Sequence, residues 1–577
     1  MLSPAAPAFA PTDRTPGDAR DPGRRVGLVA AALLVAIYGA TAARDVTFWD
    51  AGEFATAIAT FGIPHPPGTP LYVALGRALH VLVPGLGPAA AGIVLSVLAS
   101  AAAGGVLAAL VARALGSAAL GVAAGVVAGA MGSVWNNATE VEVYGVALAC
   151  SAAQLALAWR AHARDDDHAR AAVLAVAALA VPLHLIAVVS APAALLLACS
   201  DRDHRVRWLE WGVGCALLLA VVLASRGAVW SAAAVLGVGA AIGWVLGVRW
   251  APRAALGMAI VATGALVLYV RARQGPWLAQ GDPSTWARFV EVIAREQYAV
   301  AGPWPRRAPF WLQLGNLLQW ADWQVLLGVH HDVVPHPART SATVGLLALG
   351  AIGARRHWHG HRASARAWAL LLLVASVGVV ILLNLHAGPS YGHGVLPADA
   401  PREARERDYF FALAFWAWGA WAAVGAWALG RGRGAAALAL GLVVGNAPAL
   451  DRHQPDSDAL PRAVAAELLA ELPPGALLLT SGDNDTYPTW YLQGAERVRR
   501  DVHAVVWPLL GARWYVAERW RALGAGPIPR DAWAGDAAER AATLAAGWRA
   551  AGRPIAVSIA VPAPLRARFA AGAGVGC

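Results

Sequence analysis

Apolar runs of about twenty residues, closed off by arginines, recur along most of this chain and limit what it can fold into. A helix of that length matches the hydrocarbon core of a bilayer, about 30 Å thick. The first run, from about Val26 to Ala42, follows Arg24-Arg25. Others lie near 88–111, 117–134, 142–160, 171–199, 209–225, 228–248, 254–270, 341–354, 366–385, 409–430 and 434–450. The expected fold is mainly α and polytopic. Only 14% of the residues are charged, against about 25% in soluble domains.

The net charge of +10 is carried by arginine alone, because the chain has no lysine. These arginines cluster between apolar runs, as orientation signals do, which argues against a nucleic-acid face. Arg24-Arg25 place the N-terminus in the cytoplasm, with residues 1–25 as a disordered tail. The turns carrying Arg113, Arg160–Arg170, Arg202–Arg207, Arg249/Arg253, Arg355/Arg356 and Arg431/Arg433 share that side if the 171–199 run crosses twice. Pro182 breaks this run near its middle, so a hairpin of short helices is expected. The count is then about 12–13 crossings, with the C-terminus outside. Segments 43–87, 136–144, 271–340 and 386–408 fall on the outer face of a transmembrane domain covering 26–450. Residues 451–577 alternate helical and strand-like patterns and form a small extracytoplasmic α/β domain. The lysine-free, alanine- and arginine-rich composition fits a GC-rich bacterial genome and the inner membrane. The four cysteines (Cys150, Cys199, Cys215, Cys577) have no metal-ligand spacing.

Carboxylates beside membrane spans are costly and are functional candidates. Asp45-Val-Thr-Phe-Trp49-Asp50-Ala-Gly-Glu53 carries three, and Asp50 and Glu53 share a face if helical. Either can serve as a general base on a hydroxyl; the bland alternative is that Asp50 caps a helix. His65-Pro-Pro-Gly-Thr-Pro70 fixes a rigid turn, with His65 a donor or a structural histidine. Glu140 and Glu142 line the site or cap a helix beside Tyr144. His184 sits in mid-run, either buried and hydrogen-bonded or facing a polar cavity. Arg402 to Tyr409 is the densest charge cluster at a membrane boundary. Arg405 and Arg407 suit a phosphate, whereas Glu403, Glu406 and Asp408 could simply neutralise them. Asp483-Asn484-Asp485 follows a strand and can hold sugar hydroxyls, a cation or only its own backbone.

Together these stretches resemble a bacterial protein O-mannosyltransferase-like membrane family of the GT-C glycosyltransferase superfamily. The resemblance rests on Phe48-Trp-Asp-Ala-Gly-Glu-Phe54, His65-Pro-Pro-Gly68, Glu142-Val-Tyr144, Arg295-Glu-Gln-Tyr298 and Ala387-Gly-Pro-Ser390. It continues through Arg405-Glu-Arg-Asp-Tyr-Phe410, Gly482-Asp-Asn-Asp-Thr486, Trp490-Tyr-Leu-Gln493 and Arg500-Asp-Val502. It implies an outward-facing site, a polyprenyl-phosphate-linked sugar as donor and a first-loop carboxylate as base. That position matches Asp50, with Glu53 as second choice, because the adjacent acidic pair common in such enzymes is here split by Ala-Gly. The expected reaction moves a sugar, mannose among the candidates, to a hydroxyl of a protein or glycan. Arg405, Arg407 and His65 would bind the donor phosphate. Asp45, Trp49, Glu140, Glu142, Tyr144, Glu406, Asp408 and Tyr409 would line the site, and Asp483, Asn484 and Asp485 would face the acceptor. No metal ligand is assigned. The rival readings are a flippase for lipid-linked sugars and a non-catalytic envelope assembly protein.

Overall fold

The computed structural model describes residues 22–298, 301–454, 459–523 and 533–570. Helix α1 (Pro22–Thr41) begins ahead of the apolar run. Gly23 to Arg25, expected in a disordered tail, are therefore helical, while residues 1–21 lie outside the described ones. Next come α2 (Ala51–Thr60), α3 (Pro70–Leu82), α4 (Pro88–Leu115), α5 (Ala118–Gly129), α6 (Gly132–Ala138) and α7 (Tyr144–Arg164). The 171–199 run forms α8 (Asp167–Ala177), α9 (Ile186–Val189) and α10 (Ala191–Ala198). Its two ends meet, since Arg170 Nε donates to the Ala198 carbonyl at 3.0 Å. The turn at Pro182 lies against α3, accepting the Leu71 amide at 3.0 Å. The run folds back on itself, as the proline led us to expect.

The chain continues through α11 (Trp208–Ala224), α12 (Val229–Val245), α13 (Ala251–Ala262), α14 (Leu266–Ala272), α15 (Trp286–Ala294) and α16 (Phe310–Asp322). Then follow α17 (Pro337–Gly360), α18 (Arg362–Leu373), α19 (Val379–Leu383) and α20 (Ala412–Leu450). Arg431, at φ 51° and ψ −140°, interrupts α20. The halves reverse direction there, because Asp408 bonds Ser133 while Asn446 bonds the nearby Ala130 carbonyl. The two apolar runs 409–430 and 434–450 are thus separate arms.

Five helices among the described residues are long and apolar enough to cross a membrane, or six if the α5–α6 pair, bent by 76°, is one span. The 12–13 crossings expected from hydropathy are not matched by as many full-length helices. Runs 171–199, 209–225 and 228–248 are built from helices of 17 residues or fewer. Small residues set the tightest seam. A Cβ on Gly353 of α17 would lie 1.8 Å from the Trp421 carbonyl oxygen, and one on Gly425 1.9 Å from that of Leu349. Close backbone approach of this kind supplies dispersion between helices that share an apolar solvent.

The C-terminal region has α21 (Leu460–Ala470), β1 (Leu477–Thr480), α22 (Asp483–Gly494), β2 (His503–Val506), α23 (Arg513–Ala522), α24 (Ala537–Ala550), β3 (Ile555–Val557) and α25 (Ala563–Ala570). The strands are parallel in the order β2-β1-β3, with Leu479 opposite Val505 and Val557. All four β1 residues are buried, as expected of a central parallel strand. This unit rests directly on the first loop: a Cβ on Gly52 of α2 would sit 2.5 Å from the Tyr487 carbonyl oxygen of α22.

Candidate active site

Two arginines and a left-handed residue place α2. Its last carbonyls accept from Arg77 (Ala59 O, 2.5 Å) and Arg271 (Phe61 O, 2.7 Å; Thr60 O, 3.1 Å), where a cation also meets the negative end of the helix. Trp49, at φ 64°, is held left-handed by its amide's bond to Asn484 Oδ1 at 2.8 Å. A bulky residue rarely adopts this conformation without such support. Asp50 follows at the N-cap position, yet its side chain caps nothing.

Its carboxylate turns instead to the 402–409 segment. Asp50 Oδ2 accepts from Arg405 Nη2 at 2.7 Å, both side chains being largely buried. Asp50 Oδ1 makes no hydrogen bond among the described residues. The Arg405 guanidinium lies between Trp49 and Tyr409, 5.0 and 4.9 Å from the ring centroids. Its Nε donates to Tyr409 Oη at 3.0 Å, which also accepts from Arg407 Nη1 at 2.6 Å. Arg407 is paired with Glu403 at 3.1 Å. Burial disfavours the Asp50 charge, but Arg405, then His65 and Arg407, hold its carboxyl below the usual carboxylate range.

Glu53, one helical turn on, is fully buried and fully used. Oε2 lies 2.5 Å from His65 Nδ1, and Oε1 accepts the His65 amide at 2.9 Å and Gln280 Nε2 at 3.3 Å. Burial opposes charge on His65; Glu53, followed by Asp50 and Asp483, reverses that and pushes the ring up to about 9. Gly68, at φ 84°, gives the following turn a conformation that suits glycine.

The remaining expected residues divide into two groups. Asp483 joins the site electrostatically: burial, then the neighbouring Asp50, pushes its carboxyl up to about 6. Glu142 sits beside Asp50 and Glu140, and burial and those charges raise its carboxyl well above the ordinary value. Tyr144 packs edge-on against His184 and tilted against Tyr409, ring centroids 5.0 Å apart in each case. The others hold structure. Glu140 pairs with Arg452 at 2.8 Å and accepts from Thr47 Oγ1. Glu406 accepts from Trp320 Nε1 (2.9 Å) and Ser390 Oγ (2.5 Å), and Asp408 from Ser133 Oγ (2.5 Å). Asp45 lies at the domain boundary, 3.3 Å from Arg462. Asp485 accepts the Ser481 and Gly482 amides at 2.9 and 2.8 Å, closing the start of α22.

Gln280 is a site member that the residue pattern did not single out; a glutamine in a long polar loop carries no signal. Arg295 was noted only as part of a motif. It is half-buried, with Tyr298, Arg226 and Tyr144 as its electrostatic neighbours, and burial pushes its guanidinium down to about 10. An apolar cavity lined by Leu107, Leu155, Trp159, Trp368 and Trp421 lies elsewhere in the bundle.

The chain is a polytopic helical membrane protein that gathers buried carboxylates and arginines at one end of its bundle. Comparison with known families makes this specific. Residues 50–207 match the Protein O-mannosyl-transferase TMEM260 N-terminal domain, and residues 461–535 match TMEM260-associated domain 2. Both matched regions are similar to the protein O-mannosyltransferase family, a likeness that supports a glycosyltransferase. No match was found among the curated proteins.

Proposed function

We propose that the protein transfers a sugar, mannose by its family, from a polyprenyl-phosphate donor to an acceptor hydroxyl on the face away from the cytoplasm. The observation that carries this reading is the Asp50–Arg405 pair. It joins a carboxylate with one unengaged oxygen to a cluster of cations suited to phosphate. In the proposed step Asp50 Oδ1 takes the proton of the acceptor hydroxyl, whose oxygen bonds to the anomeric carbon. The bond from that carbon to the phosphate oxygen breaks, and its electron pair leaves with the lipid phosphate. Arg405 and Arg407 stabilise that charge. As Arg405 shifts toward the incoming phosphate, Asp50 loses part of its counter-charge and becomes a stronger base. Glu53 has no free oxygen, so it orients and charges His65. Asp483, brought in by α22, faces the acceptor. The outward orientation is supported by Arg170, Arg202, Arg207 and Arg366, which gather at the opposite end.

The test is transfer of labelled sugar from purified polyprenyl-phosphate mannose to a Ser/Thr-containing peptide by the detergent-solubilised chain. Asp50→Asn should lower the rate at least about 100-fold. Full transfer by this variant would sink the assignment of the base. Movement of donor across vesicles without transfer would replace the enzyme reading by transport.

A further inference from the structure

At the end of the bundle away from Asp50, three histidines meet from segments distant in sequence. His162 lies in the last turn of α7, about 27 Å along that helix from Tyr144. His204 lies in the loop between α10 and α11, and His361 joins α17 to α18. One ring nitrogen from each lies within 4.8 Å of the others. Ring centroids are 6.0 Å apart for His162–His204, 5.2 Å for His162–His361 and 4.6 Å for His204–His361.

The hydrogen bonds around the trio leave lone pairs available. His162 Nδ1–H donates to the Ser200 carbonyl at 2.9 Å, so Nε2 carries a free lone pair. This is how metal-ligating histidines are commonly oriented. Trp421 Nε1–H donates to His357 Nδ1 at 3.1 Å, so His357 Nε2–H donates to Ser364 Oγ at 2.7 Å. His361 Nδ1 accepts the Ser364 amide at 3.2 Å, which caps α18, and also lies 2.9 Å from Ser364 Oγ. Binding an ion through His361 Nε2 moves the ring proton to Nδ1, where Ser364 Oγ can accept it while its own hydrogen goes to the His361 carbonyl at 3.2 Å. His204 Nδ1 is buried with no hydrogen-bond partner. Nearby charges oppose each other, with Arg362 and Arg366 against Asp201 and Asp203.

We propose that His162, His204 and His361 bind a divalent cation of the zinc class, with water as a fourth ligand. Imidazole nitrogens suit such borderline ions at about 2.0–2.1 Å, which requires ligand nitrogens about 3.4 Å apart. Binding an ion closes the trio by at most about 1.4 Å from the 4.8 Å separation. The ion would clamp α7, the α10–α11 loop and the α17–α18 corner together, far from the transfer chemistry.

The experiment uses the full chain in detergent, stripped with a chelator and re-equilibrated with Zn²⁺ or Co²⁺ before gel filtration. One ion per chain is expected by elemental analysis, with a visible Co²⁺ spectrum of imidazole ligation. His204→Ala and His361→Ala should each reduce retention at least tenfold, while His168→Ala, on the exposed side of α8, should not. If His361→Ala fails to fold because His361 also caps α18, His204→Ala decides, since its buried Nδ1 has no hydrogen-bond partner among the described residues. A wild-type chain that retains no ion, or retention unchanged in His204→Ala, overturns the proposal.

Discussion

Replacing Arg405 by glutamine tests the centre of the site. Arg405 and Asp50 are 2.7 Å apart, nitrogen to oxygen, and both are largely buried. With charge centres about 4 Å apart and an effective dielectric near 20, their attraction is about 4 kcal/mol. Removing one partner leaves the other charge buried, which costs about 3–5 kcal/mol. The fold can escape part of that cost by protonating Asp50, and this fixes the sign of the pH effect. Burial already pushes the Asp50 carboxyl up, while Arg405 is the first of the groups that pull it down. The wild-type pair therefore contributes stability that is present above the ordinary carboxylate pKa and lost as pH falls through the lower folded value. A base must be unprotonated, so the acid limb of the transfer rate should lie below the ordinary carboxylate range in the wild type. In Arg405→Gln it should move up by at least about one pH unit, alongside a rate loss of about 10²–10³ from the missing charge on the phosphate. The assays are a pH–rate profile and a double-mutant cycle with Asp50→Asn in thermal unfolding. Additivity within about 0.5 kcal/mol, with an unmoved acid limb, would refute the reasoning.

Four further outcomes are expected. His65 stays protonated up to about 9 because of Glu53, so its contribution to stability is complete below its ordinary pKa and lost as pH rises through about 9. Glu53→Gln should move that alkaline loss toward neutrality in pH-dependent melting curves. Asp483, raised to about 6 by burial and Asp50, should give the activity profile an inflection there that Asp483→Asn removes. Asp485→Ala should keep the inflection and lower the melting temperature, through the loss of a helix cap worth about 1 kcal/mol. Gly52→Ala puts a Cβ 2.5 Å from the Tyr487 carbonyl, an overpacking cost of about 1–3 kcal/mol. It should accelerate proteolysis of the C-terminal region more than that of the bundle.

Much of this architecture was readable from the sequence because membrane and parallel-sheet signals are strong and local. Pro182 foretold the turn of the 171–199 run, and the apolar stretches around 476–480 and 502–506 became β1 and β2. Breaks were less readable, since hydropathy registers an apolar run such as 117–134 without showing the 76° bend between α5 and α6. The Asp50–Arg405 contact spans 355 positions, and nothing local in either segment encodes it. What was legible was the motive: a carboxylate and an arginine, each expensive at a membrane boundary, had reason to find one another. The same cost sent Glu406 to Trp320 and Ser390, and Asp408 to Ser133. The three histidines escaped notice because no spacing rule links α7, a loop and a helix corner.

The packing of α22 on α2 bears on when the molecule becomes competent. Ribosomes deliver α1 and the Asp50 loop before Arg405, and Asn484 and Tyr487 later still. Trp49 owes its left-handed backbone to Asn484, so the segment presenting Asp50 stays unbraced while the intervening helices are inserted. A nascent chain carries the acid from the outset and acquires its alignment only as α22 packs on α2. The order of synthesis thus delays the bracing of this segment until the helices between it and α22 have been made.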